Sequence, residues 1–293
     1  MPMRSNRPGA MESIGEDIRP IEPGEFEQLR SLARRAFGLD LKAGKEQMVM
    51  ARLRRLMREG GFRSYREYHR HVTGDLTGQA LAAMIDALAT NHTAFLREPE
   101  HFDFLREHVL VQCARRRLLE IWCAACSTGE EVWTLAFAMN DALDPGQIRI
   151  IATDISYKAL RVAQQGEYSS ERCAGLPPGW RNQYLLPLGN PAESYRVAEK
   201  IRRQVVFRRA NLLEPVPRRQ RFPAVFCRNV MIYFDQPSQE KVVTQLAECL
   251  EPGGYLFVGH AESLTRVAHS LDYVKPAIYR KPVEREGKWT SLW

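Results

Sequence analysis

Four short stretches of this chain put polar residues where a strand-and-helix fold would need them for ligand chemistry. Ser127-Thr128-Gly129-Glu130-Glu131 makes a tight turn that opens a helical pattern. Asp154 ends the apolar run Ile148-Arg149-Ile150-Ile151-Ala152-Thr153 and stands 25 residues after Gly129. Asn211-Leu212 follows Val205-Val206-Phe207, and Arg228-Asn229-Val230-Met231-Ile232-Tyr233-Phe234 follows Pro223-Ala224-Val225-Phe226-Cys227. In an open parallel sheet, ligands sit beyond the carboxyl ends of the strands, where the strand order reverses. A carboxylate at 154 suits a ribose, because two adjacent hydroxyls can each donate to one of its oxygens. An amide at 211 suits the edge of an adenine. The first turn holds one glycine rather than G-x-G-x-x-G, and no P-loop is present, so the expected ligand is a nucleoside without phosphates. Taken singly, each feature has a purely structural reading: Asp154 as a helix cap, Asn211 as a turn residue, Tyr233 as core. Together, in this order, they point to a site.

Cys123-x-x-Cys126 has the spacing of a redox pair, but Cys123 belongs to a strand and no second pair supplies a zinc set. The six cysteines are scattered among apolar neighbours, no apolar run reaches the ~18 residues of a membrane span, and residues 1–16 lack the apolar centre of a signal peptide. A reducing cytoplasm is the expected compartment.

The elements that must position these residues fall into two kinds. From Glu25 to about Arg115 the pattern is helical. At 100° per residue, Val49, Leu53, Leu56 and Met57 share one face and Arg54, Arg55 and Arg58 the other, and Gly60-Gly61 ends the helix. A second apolar helix is expected near Leu76 to Leu88, with Leu81, Ile85 and Leu88 on its stripe. After Arg117, strand and helix signals alternate, which argues for a mostly parallel sheet. Strands are expected at 118–123, 148–154, 205–207, 223–227 and 255–258, with Tyr273-Val274 and Ile278-Tyr279-Arg280 as a closing pair. The stretch from Arg172 to Arg203 breaks the alternation and reads as a small inserted subdomain with a short antiparallel sheet. The expected fold is therefore a doubly wound α/β domain with that insertion, preceded by a small all-helical domain. The expected division is a mobile extension over 1–23, a helical domain over 24–89, a linker over 90–117, the α/β domain over 118–283 and a tail over 284–293.

With 293 residues, 44% apolar and 26% charged, the chain can bury a sizeable core, which excludes a disordered chain or a small disulfide scaffold. The net charge of +7 is unevenly spread. Residues 42–70 carry nine Lys/Arg against three Glu, and residues 171–221 carry eleven against four. Two basic patches are either solvated faces or places that meet acidic partners.

Five ordered motifs make a specific resemblance. Thr90-Asn91-His92-Thr93-Ala94-Phe95-Leu96-Arg97-Glu98, the turn from Ala125 to Glu131, Ala152-Thr153-Asp154-Ile155-Ser156, Asn211-Leu212-Leu213, and Phe226-Cys227-Arg228-Asn229-Val230-Met231-Ile232-Tyr233-Phe234 resemble the chemotaxis-receptor glutamate O-methyltransferases. Gly253-Gly254, Gly259-His260 and Glu262-Ser263 extend the resemblance, which covers about residues 25–280. The family uses S-adenosylmethionine, without a metal, to esterify glutamates on acidic chemoreceptor helices.

The resemblance implies that Asn91, Thr93 and Arg97 close over the cofactor. It places Glu130, with Ser127 and Gly129 in its turn, at the methionine end and Asp154 on the ribose. Asn211 and Leu212 then flank the adenine, and Asn229 and Val230 form the floor. Arg97 and Tyr233 fall nearest the transferred methyl. Arg52, Arg54, Arg55 and Arg58 become the receptor-docking helix face, and the inserted subdomain becomes a place for a receptor tethering peptide. Leu96 stands where an aromatic is common in the family, and the tail with Trp289 and Trp293 has no counterpart.

The chemistry agrees: a glutamate of pKa ~4.3 is already ionised at pH 7, so no general base is needed. A nucleic-acid methyltransferase is disfavoured, because Arg228-Asn229-Val230-Met231 stands where a base-amine methylase would carry Asn/Asp-Pro-Pro-aromatic. A binding module that has lost activity is disfavoured because every matching site residue is present. A monomer that binds no nucleic acid is expected.

Overall fold

The computed structural model describes residues 18–216 and 221–283. The expected mobile extension lies, up to residue 17, outside the described residues, as does the tail 284–293. The chain divides into two compact units, one of residues up to Leu32 with Lys42–Leu88, the other of Ala33–Leu41 with the chain from Ala89 on.

The smaller unit is helical. It takes most of α1 (Pro23–Phe37), then α2 (Glu46–Glu59), α3 (Tyr65–Gly74) and α4 (Gln79–Leu88). α2 has the expected two faces: Val49, Leu53 and Met57 are buried, Arg54, Arg55 and Arg58 are exposed, and Gly60 caps the end. The stripe of α4 is Met84, Ile85 and Leu88. That helix starts later than the pattern suggests because Asp75 takes Thr77 N at 2.9 Å and Ala80 N at 2.7 Å, a side-chain turn that competes with helix and leaves Leu76 fully exposed. Glu25 is buried but satisfied, accepting from Arg19 at 2.6 Å, Arg66 N at 3.0 Å and Glu22 N at 3.1 Å.

The larger unit carries ten strands among the described residues: β1 (Leu119–Ala124), β2 (Ile148–Asp154), β3 (Glu167–Ser169), β4 (Leu185–Leu188), β5 (Ser194–Val197), β6 (Val205–Arg209), β7 (Phe222–Cys227), β8 (Leu250–Phe257), β9 (Asp272–Lys275) and β10 (Ile278–Arg280). Its helices are α5 (Glu100–Phe104), which runs through a π-helical turn at Leu105–Leu110 into α6 (Val111–Cys113), then α7 (Glu130–Asn140), α8 (Tyr157–Gln165), α9 (Ser170–Cys173), α10 (Pro178–Tyr184), α11 (Glu199–Arg202) and α12 (Gln236–Glu248). Seven strands form one sheet in the order β6-β2-β1-β7-β8-β10-β9. The first five are mutually parallel, and β10 and β9 add antiparallel at the edge as the expected closing pair.

Alternation along the strands sorts side chains to two cores. Ile121 and Cys123 of β1, with Ala224 and Phe226 of β7, join Trp133 and Phe137 of α7 on one face. Trp122 and Ala124, with Val225 and Cys227, join Val242, Val243 and Leu246 of α12 on the other. α7 is apolar nearly all round, as a helix covered on every side must be. The chain leaves β1 toward β2 and β6, then returns to β1's other flank as β7. The switch point therefore lies beyond the ends of β1 and β7, where the motifs were expected to converge.

The inserted subdomain is a three-stranded antiparallel sheet in the order β3-β5-β4, and it begins with Glu167, a little before the expected Arg172. It is fastened to α7 by aromatic hydroxyl and indole bonds. Tyr168 accepts from Trp133 Nε1 at 2.8 Å and donates to Thr128 O at 2.7 Å, while Trp180 and Tyr184 donate to Asp141 at 2.6 and 2.7 Å.

Candidate cofactor site

Beyond the ends of β1, β2, β6 and β7 lies a cavity that is open to solvent. The strand ends supply Ala125, Cys126 and Ser127, then Asp154 and Ile155, then Asn211 and Leu212, then Arg228, Asn229 and Val230. Asn91, His92, Thr93 and Arg97 line it from the segment before α5, and Tyr233 and Phe234 from the turn after β7. The mixture of apolar wall with a set of convergent polar groups fits a nucleoside ligand.

Asp154 is buried and preorganised. Its Oδ2 accepts from Ser127 N and its Oδ1 from Ser156 N, both at 2.8 Å, so the cap-like role and the ligand role fall on one carboxylate. Ser127 has φ +51° and Ala125 φ +60°, conformations L-residues adopt only where the surroundings hold them. The Ser127 hydroxyl is buried on the cavity wall with no partner among the described residues. An orphaned hydroxyl beside an oriented carboxylate fits the polar edge of a nucleoside cofactor.

The turn differs from expectation at two residues. Glu130 does not line the cavity: its carboxylate is buried, accepts Thr128 Oγ1 at 2.8 Å and is ion-paired to Arg172 of the inserted subdomain. Its neighbour Glu131 lines the cavity instead. Gly129 does not line it either. It has φ +96°, and a Cβ there would stand 2.8 Å from Ala163 Cβ, so this glycine serves the turn and its packing on α8. Asn211 reaches the cavity with its amide already engaged, donating to Ala36 O at 2.8 Å and accepting from Leu213 N at 3.1 Å, which limits what it can read on a base. Phe37 and Leu39, which the sequence did not suggest, add apolar wall beside it.

Arg228 is the buried hub of the site. It donates to Glu131 Oε2, to the Arg97 carbonyl and, at 2.9 Å, to Glu98 Oε2, with its side chain fully enclosed. Burial opposes its charge, but Glu131 and Glu98 outweigh that and hold its pKa above the ordinary arginine value. Burial likewise works to raise Glu98, and the Arg228 bond overrides it, so that carboxyl lies below its usual range. Glu98 also accepts from Asn229 Nδ2 at 3.3 Å and His260 N at 3.3 Å. Leu96 and Glu98 have φ of +54° and +57°, so Arg97 sits between two strained residues in a fixed turn. Arg97 itself donates to His92 O at 3.2 Å.

Under the floor, Glu262 is buried and accepts Gly259 N at 2.6 Å, Asn229 N at 2.7 Å, Met231 N at 2.6 Å and Ile232 N at 3.3 Å. Burial raises its pKa and the N–H bonds pull it back. The net shift is upward, with N–H donors on both oxygens opposing it.

Cys123 and Cys126 are free and buried, and burial pushes both thiols well above their ordinary pKa. In the smaller unit, Arg52 departs from the expected docking face: it is half-buried and donates to Leu88 O. Arg55 is paired with Glu59 at 2.7 Å, whereas Arg54 and Arg58 are exposed. No helix among the described residues is long and apolar enough to cross a membrane.

Residues 91–279 match the family model described as CheR methyltransferase, SAM binding domain, and residues 24–89 match CheR methyltransferase, all-alpha domain. Chemotaxis protein methyltransferase 2 of Pseudomonas aeruginosa is 38% identical over 260 residues, covering 87% of this chain and 92% of that one. The chemotaxis protein methyltransferase of Escherichia coli is 35% identical over 269 residues, covering 88% and 91%. That of Borreliella burgdorferi is 33% identical over 272 residues, covering 89% and 95%.

Proposed function

The chain belongs to the CheR methyltransferase family of S-adenosylmethionine-dependent chemotaxis protein methyltransferases, and from that premise we propose that it esterifies glutamate side chains on acidic helices of chemoreceptors. The observation that carries this reading is the pair of donors on the cavity wall. Arg97 uses one N–H on His92 O, and Tyr233 has no side-chain partner among the described residues, so both can donate to an acceptor carboxylate.

When bound, the cofactor supplies a sulfonium methyl: a carboxylate lone pair forms the new O–C bond, the C–S electrons return to sulfur, and no proton moves. The protein's task is to orient the carboxylate and keep water out. The acceptor is ionised at pH 7, so neither Asp154 nor Glu131 is asked to act as a base. Asp154 and Ser127 hold the nucleoside, Leu212, Val230 and Phe37 flank it, and Asn91 and Thr93 cover it. Arg97 and Tyr233 steer the acceptor; too tight an arginine pair would quench the nucleophile, so positioning is the role that fits. Arg54, Arg55 and Arg58 offer the receptor helices a basic face, and β4, an edge strand of the three-stranded sheet, offers a tethering peptide a place to pair. Oligomerisation is not required, and a monomer suffices.

Single-turnover transfer to a receptor fragment tests the roles. Arg97→Ala is expected to slow the methyl-transfer step by about 100-fold, on the scale of a lost transition-state donor, while S-adenosylhomocysteine affinity changes far less. Full turnover by that variant would contradict the assignment.

A further inference from the structure

We propose that Glu262 is a positioning residue: its buried carboxylate clamps the Asn229–Ile232 turn and so sets the floor of the cofactor cavity. This rests on reading the cavity as the cofactor site. Four backbone N–H groups converge on the one carboxylate, two on each oxygen. Asn229 N and Gly259 N meet Oε2 at 2.7 and 2.6 Å, and Met231 N and Ile232 N meet Oε1 at 2.6 and 3.3 Å. Three of these donors belong to the turn that carries Asn229, Val230 and Tyr233 to the cavity wall. The turn requires holding, because Asn229 sits at φ +58° and Val230 at φ −118°, ψ −37° before the short 3-10 segment Met231–Tyr233. Without the carboxylate those N–H groups would lose this partner, those of Met231 and Gly259 in buried positions, and Asn229 would relax toward an ordinary conformation.

The fourth donor locks the turn to the end of β8. Gly259 has no space for a side chain: a Cβ there would lie 2.2 Å from Asn229 Nδ2 and 2.9 Å from Glu262 Oε2. Glycine at 259 and glutamate at 262 therefore act as one device, the first allowing the approach and the second binding it. An amide at 262 cannot substitute. Gln offers a single oxygen, and its NH2 would face two N–H donors.

The test measures S-adenosylhomocysteine binding by calorimetry and methyl transfer to a receptor fragment in wild type, Glu262→Gln, Glu262→Asp and Gly259→Ala, with the unfolding temperature of each. The expected result is a fall of about tenfold or more in cofactor-product affinity for Glu262→Gln, measured where the variant is folded, with partial recovery in Glu262→Asp. Gly259→Ala keeps the carboxylate and displaces Asn229, so the same loss in that variant supports the clamp even if Glu262→Gln fails to fold. Two results overturn it: a folded Glu262→Gln with wild-type affinity, or, should that variant not fold, a folded Gly259→Ala with wild-type affinity. The affinity readout does not involve the acceptor, so an error about glutamate as the substrate would show only in the transfer assay of the wild type.

Discussion

His101 shows how much a single residue near this site depends on its surroundings. It is fully buried, neither ring nitrogen has a hydrogen-bond partner among the described residues, and Glu98 Oε2 stands 3.6 Å from Nδ1. Burial first, then the Arg228 charge, push its pKa down to about 3, against an upward pull from Glu98. Below pH 6.5 the unfolded chain binds a proton that the native His101 refuses, so stability present above that pH is lost as pH falls toward 3, by about 1.4 kcal/mol per unit. His101→Phe is therefore expected to flatten the fall of unfolding temperature between pH 7 and 5, and parallel curves for the two proteins would contradict this. The place of Asp154 on the cavity wall was legible from its position at a strand end, and that of Arg97 only through the family resemblance. Glu130 and Glu131 were not separable, because adjacent residues at a helix start differ by about 100° in direction and only packing against Arg172 and Arg228 decides which faces the cavity.

Among the elements, the segment between the helical domain and α5 has a conformation imposed from outside it. Leu96 and Glu98 are left-handed, and their restraint comes from elsewhere: Thr134 Oγ1 accepts Leu96 N at 3.3 Å, and Arg228 grips the Arg97 carbonyl and the Glu98 carboxylate. Arg228→Lys keeps the charge and loses the fork that reaches three acceptors, and about 2–4 kcal/mol of stability is expected to go with it. Chemical denaturation checks the loss, and exchange of the amide protons of residues 96–98 should rise with it. A variant as stable as wild type would show that charge alone suffices. The Arg228 contacts span 130 and 131 residues of sequence, and Leu39 bridges to Phe234 at the cavity, so local periodicity carried no sign of them. The strands were readable from their alternation, and the insertion from its failure to alternate. Its first strand, Glu167–Ser169, was too short to register beside α8.

At the scale of the whole molecule, the excess positive charge has a division of labour. Much of it is internally paired, as with Arg172 to Glu130, Arg116 to Glu251 and Arg196 to Glu167. Arg54 and Arg58 on α2 remain exposed with no ion-pair partner among the described residues. Reversing both to Glu should raise the KM for receptor about tenfold at low salt and leave S-adenosylhomocysteine affinity unchanged, the gap narrowing as ~0.5 M salt screens the encounter. Equal loss of both properties would mean a folding defect and would remove the docking role.

The most direct test of the account is the chemistry of the product bond. Purified protein is incubated with methyl-labelled S-adenosylmethionine and receptor fragments, and the label on the fragment is treated with mild base. Esterified glutamate releases it as volatile methanol, which is the predicted result. Label that stays on the protein through base would place the methyl on nitrogen or another acceptor and contradict the glutamate reading.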